Sequence, residues 1–209
     1  MVIYQSRQRA KFLDFQLFGP FGFGNIGRRQ NFTGRRAYVF QAGPQHLPAL
    51  AESGAHPVFC PTSNLFLGSG LFDEGGLRAR GIVSGIATDV GGGTSYSMLR
   101  TLDEGYKVLQ LRGQALHPLR AFDWITRGNA CVLGLEDRIG TLDPGSEADI
   151  VVLDARATPA MALRMERART LAEELFVLQV MGDDRAIAEV YVAGVPTLSE
   201  RPRERAAAG

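Results

Sequence analysis

The chain has 209 residues and 45% apolar content, enough for one or two globular domains with a buried core. Its 23 basic and 22 acidic residues leave a formal charge of +1, so no whole-chain field selects nucleic acid or an anionic membrane. No stretch approaches the ~20 apolar residues that span a bilayer, and the apolar N-terminal run, broken by Asp14 and Gln16, lacks the small-residue cleavage site of a signal peptide.

The two cysteines, Cys60 and Cys131, form neither a CxxC pair nor a disulfide framework, which fits a reducing cytoplasm. Residues 1–45 contain seven Lys or Arg and one acid, Asp14, with many Phe and Gly and no sustained period. From about Leu47 acids and bases mix and apolar residues recur regularly. The expected organisation is therefore an N-terminal segment at 1–46, strands and helices at 47–135, further strands and a helix at 136–200, and a frayed tail at 201–209.

In chain order, residues 55–60 read as a strand ending at the turn formers Pro61, Ser63 and Asn64, and residues 81–88 as a second strand interrupted by Gly85. The glycine-rich stretch at 68–76 reads as loop. Met98, Leu102, Tyr106 and Leu109 make one apolar helix face, with Thr94 or Ser95 able to cap its start. Residues 121–133 read as another helix, closed by Gly134. The Pro144-Gly145 turn divides residues 139–154 into two extended runs, a hairpin. Pro159 suits the first turn of a long helix whose Leu171, Leu175 and Leu178 share a face, and residues 189–195 read as a final strand. Alternating strands and helices give an α/β architecture, with a site expected at the strand tips.

Three patterns bear on chemistry. In Ala87-Thr-Asp89-Val-Gly-Gly-Gly-Thr-Ser95, a carboxylate ends an apolar strand and precedes glycines that let backbone approach a ligand. Such an aspartate can bind a divalent metal and accept a proton from its water, or it can simply form a turn before a helix cap. Phe59-Cys-Pro-Thr-Ser-Asn64 places small polar side chains where they can bond a planar polar ligand, or form an ordinary loop over a buried thiol. Gly22-Phe-Gly24-Asn-Ile-Gly27 matches a dinucleotide fingerprint in spacing, yet no helix pattern follows it and the next acid is Glu52. His46, His56 and His117 are isolated, so surface or capping roles are expected of them, and neither they nor the cysteines assemble a recognisable zinc site.

Longer runs are more specific. Cys60-Pro-Thr-Ser-Asn-Leu-Phe-Leu-Gly-Ser-Gly-Leu-Phe72, Thr88-Asp-Val-Gly-Gly-Gly-Thr-Ser-Tyr-Ser-Met-Leu-Arg-Thr-Leu102, Tyr106-Lys-Val-Leu-Gln-Leu111, Pro144-Gly-Ser-Glu-Ala-Asp-Ile-Val-Val-Leu153 and Met181-Gly-Asp-Asp-Arg185 resemble bacterial guanine deaminases of the amidohydrolase superfamily. The resemblance covers residues 51–195. It implies the C-terminal part of a metal-dependent (β/α)8 barrel plus part of a small β-sandwich built from both chain ends. It also implies hydrolysis of guanine to xanthine and ammonia with zinc as cofactor. On this resemblance Asp89 ends the eighth strand as metal ligand and catalytic proton acceptor, Cys60 to Asn64 follow the seventh, and residues 139–154 belong to the sandwich.

The same resemblance implies a His-x-His pair, a His with a nearby Glu, and a further His about twenty residues before Cys60, where this chain reads Arg35-Arg-Ala-Tyr38-Val-Phe. The expectation is a truncated or frame-shifted product retaining two of eight barrel strands, with open sheet edges and no deaminase activity by itself. Alternatively it is a non-catalytic assembly protein pairing with an intact homologue or with itself.

Overall fold

A computed structural model describes residues 2–4, 36–38 and 47–198. The glycine pattern at 22–27, His46 and the tail at 201–209 lie outside the described residues.

Two sheets organise the chain. β2 (Arg36–Tyr38), β3 (Ala55–Phe59) and β4 (Gly85–Ile86) run parallel in the order β2-β3-β4. β1 (Val2–Tyr4), β5 (Ile150–Leu153), β6 (Ile187–Val192) and β7 (Val195–Pro196) form an antiparallel sheet in the order β1-β5-β6-β7. The first sheet carries helices between its strands, as parallel pairing requires a crossover connection. The second joins strands from distant parts of the sequence.

The helices are α1 (Leu47–Ser53), α2 (Pro61–Phe66), α3 (Glu74–Arg78), α4 (Met98–Leu111), α5 (Pro118–Asp123), α6 (Asn129–Leu133), α7 (Pro159–Met165) and α8 (Leu171–Met181). A π-turn, Trp124–Gly128, joins α5 to α6. Among the described residues no helix is long and apolar enough to cross a membrane.

The core forms where β3 and β4 meet α4, α5 and α8. Phe59 and Phe72 stack at 4.7 Å, and Trp124 lies 5.9 Å from Phe59 with no exposure to solvent. Burial of each such ring stabilises by roughly 1.5–3 kcal/mol, and the ring pairs add to that. The helix face expected from Met98, Leu102, Tyr106 and Leu109 is found on α4: Leu102 and Leu109 are buried, and Met98 and Tyr106 pack against the same core.

Several expectations are corrected. The loop at 68–76 ends at Asp73, because the Asp73 carboxylate accepts from the Gly76 N–H at 3.0 Å and starts α3 over two glycines. The strand at 81–88 contracts to β4, since Gly81, at φ 69°, closes the turn after α3, the Ile82 N–H donates back to the Leu77 carbonyl at 3.1 Å, and ladder pairing with β3 begins only at Gly85. The polar stretch after Cys60 is the helix α2, opened by Pro61. The expected hairpin at 139–154 is absent: residues 139–149 turn on themselves, and β5 pairs with β6 instead. The long helix splits into α7 and α8 because Thr170 and Glu173 form a reciprocal capping box that starts a new helix. Ser97, rather than Thr94 or Ser95, caps α4. Three parallel strands are present where two were expected.

Candidate active site

β3 and β4 point their C-terminal ends the same way, with Val58 beside Gly85 and Phe59 beside Ile86. Two short segments leave these tips. From β3 the chain passes through buried Cys60 into α2, whose Thr62 and Ser63 are also buried. From β4 it passes through Thr88 to Asp89 and a glycine turn, then to α4.

Asp89 has φ 47°, the left-handed region that non-glycine residues rarely occupy and Asp tolerates better than most. Its carbonyl accepts from the Gly92 N–H at 3.1 Å, and Val90 bridges Gly93. The Thr62 hydroxyl donates to the Thr88 carbonyl at 3.2 Å, so α2 grips the turn that carries Asp89. The glycines are sterically required. A Cβ on Gly92 would lie 2.9 Å from Ser63 Oγ and 3.2 Å from Asp89 Oδ2, and one on Gly93 would lie 2.0 Å from the Thr88 carbonyl oxygen. The result is a half-buried carboxylate held at a strand tip, in a backbone state of the kind functional sites retain.

Burial pushes the Cys60 thiol up to about 12, the negative charge of Asp89 adds to this, and a backbone hydrogen bond with Ala87 opposes it. A thiol in that state is neither a nucleophile nor a ready metal ligand. His56 Nδ1 lies 3.0 Å from the Val83 carbonyl oxygen, and His117 Nδ1 accepts from the Leu119 N–H at the start of α5. Both thus take the surface and capping roles the sequence implies.

Among the described residues no three His, Cys, Asp or Glu side chains gather as a metal would need. A protein-bound zinc takes three or four such ligands. Asp89 alone does not fit the ion.

The sequence pattern singled out Asp89 and the small polar residues after Cys60, and the structure brings these two segments together. The sequence did not reveal that the Thr62 hydroxyl bonds the backbone beneath Asp89. The glycine run after Asp89 was the available signal, since three consecutive glycines mark a place where something packs against backbone.

The chain matches the amidohydrolase family over residues 37–197, a stretch that includes most of β2. It is 42% identical to the guanine deaminase of Escherichia coli (strain K12) over 176 residues, which are 83% of this chain and 40% of that enzyme. The solved E. coli guanine deaminase superposes with a TM-score of 0.74, covering 77% of this chain and 38% of that one. A guanine deaminase from Bradyrhizobium japonicum, 35% identical, superposes at 0.64 over 73% of this chain and 39% of its own. An adenosine deaminase from Xanthomonas campestris with bound zinc, 25% identical, also superposes at 0.64, over 78% and 36%. The parallel sheet and its helices thus belong to a mixed α/β fold of which this chain spans well under half, and the chain is a member of the amidohydrolase family.

Proposed function

We propose that this chain supplies the Asp89 portion of a guanine deaminase site, in which guanine and water give xanthine and ammonia. The observation that carries this is the Asp89 turn: a carboxylate at a strand tip, fixed by two glycines without room for a side chain and by a helix that hydrogen-bonds its base. The 42% identity to the E. coli guanine deaminase supports the choice of substrate. In this reading Asp89 accepts the proton of the water that attacks the ring carbon bearing the amino group, a positioned general base. In the family reading Asp89 would be one zinc ligand, with the histidines that complete the set supplied from outside this chain.

Because the sequence has no His-x-His pair and His46, His56 and His117 stand isolated, the chain by itself is expected not to turn over guanine. Ammonia release tests this. The chain alone is expected to give none above background, and the chain mixed with the part of the E. coli enzyme it does not align with is expected to give it. Enzymatic ammonia release by the chain alone would contradict the proposal.

One observation favours a second reading, a non-catalytic assembly role. Leu65, Phe66 and Leu67, at the end of α2, are 44%, 70% and 50% exposed and form an apolar run at the site's rim. Association with an intact homologue or with a second copy, without bound metal or turnover, distinguishes this role from the first.

A further inference from the structure

Beside Thr62, the third residue of α2 is Ser63, which is only 2% exposed. Its hydroxyl has no hydrogen-bond partner among the described residues, an uncommon state for a polar side chain kept almost wholly from water. The hydroxyl borders Gly92. A Cβ placed on Gly92 would lie 2.9 Å from Ser63 Oγ, 3.2 Å from Asp89 Oδ2 and 3.5 Å from Leu67 Cδ1. Ser63 and the Asp89 carboxylate thus border one small space, with Leu67 as its apolar wall.

The glycine is there for that space. Gly92 is not among the residues with positive φ, so crowding and not backbone conformation requires it. A side chain at 92 would fill the gap between a hydroxyl, which can donate, and an ionised carboxylate, which only accepts. Hydrogen bonds to a charged acceptor are the stronger kind. Of the two Asp89 oxygens, Oδ2 is the one this space reaches most closely.

We propose that Ser63 is a positioning residue for Asp89: its hydroxyl donates to Oδ2 across Gly92, which fixes the plane of the carboxylate and leaves Oδ1 to take the proton of the attacking water. Thr62, bonded to the Thr88 carbonyl at 3.2 Å, already holds α2 against the turn, so side-chain rotation closes the remaining gap. The inference rests on the reading of Asp89 as the general base of a guanine deaminase site.

Ser63→Ala in the full chain, combined with the remaining part of the E. coli enzyme, tests it by ammonia release from guanine. A fall in kcat of about tenfold is expected from a base that is no longer aligned, with KM unchanged because Ser63 acts on Asp89 and not on guanine. In an Asp89→Asn chain the same substitution should cost nothing more, whereas a general structural loss would lower both rates by the same factor. Ser63→Cys, similar in size but a far weaker donor, gives the same reading if Ser63→Ala does not fold. No ammonia from the unaltered chain in this mixture would sink the guanine deaminase reading instead, and the Hα–Hβ couplings of Asp89 in the chain alone then decide for Ser63. One Asp89 rotamer in the parent and averaging in Ser63→Ala support the bond. An unchanged kcat, an equal fall in the Asp89→Asn background, or identical couplings in the two chains would overturn the proposal.

Discussion

At Asp89 the backbone sits at φ 47°, and the turn that follows has no room for a Cβ at Gly92 or Gly93. Gly93→Ala should therefore cost roughly 1–3 kcal/mol through overpacking against the Thr88 carbonyl, measured by urea unfolding; a variant as stable as the parent would show that the turn yields. Cys60 offers a second check at this scale. Burial, with Asp89 beside it, holds the thiol protonated far above neutrality, while Cys131 is only partly buried. A thiol reagent at pH 8 should modify Cys131 in the folded chain and reach Cys60 only on addition of denaturant. Equal rates at the two positions would contradict the burial argument. The turn at Asp89 was legible in the sequence because a carboxylate followed closely by three glycines marks either a turn or a ligand site. The grip of Thr62 on Thr88 was not, because it joins residues 26 apart in sequence.

Among the elements, α3 shows how local chemistry overrides propensity. Two glycines disfavour a helix by roughly 1 kcal/mol each, yet Asp73 caps α3, the Gln114 side chain accepts from the Gly75 N–H at 3.0 Å and donates to Asp73 at 2.7 Å, and Arg112 pairs with Asp73 at 3.2 Å. Burial pushes the Asp73 carboxyl up, but these donors and the Arg112 charge outweigh it and hold the group below its usual range. A carboxylate with a lowered folded pKa adds stability that is complete above about pH 4 and is lost as pH falls through the folded value. Asp73→Ala should accordingly cost about 1–2 kcal/mol at pH 7, and the gap between variant and parent should narrow below about pH 4 in unfolding titrations. A constant gap would assign the cost to packing alone. Helices with strong apolar periodicity, such as α4, were readable in advance. Elements fixed by long-range partners were not: the Pro144-Gly145 turn suggests a local hairpin, but β5 pairs with β6, more than thirty residues away.

For the molecule as a whole, the parallel sheet, its covering helices and the separate antiparallel sheet correspond to part of the amidohydrolase fold, and the chain spans 40% of the E. coli relative's length. The α/β class and the placement of Asp89 at a strand tip followed from the sequence. The bonds from Trp124 and Asn129 to the backbone of Ser84 and Ile86 did not, because a π-turn leaves no periodic mark and its partners lie some 40 residues earlier. The central claim is that Asp89 is the catalytic carboxylate this chain contributes to guanine hydrolysis. It is tested most directly by ammonia release from guanine when the chain, unaltered or as Asp89→Asn, is combined with the remaining part of the E. coli enzyme. The account predicts a fall of roughly 10²–10⁴-fold for Asp89→Asn, and equal rates for the two chains would contradict it.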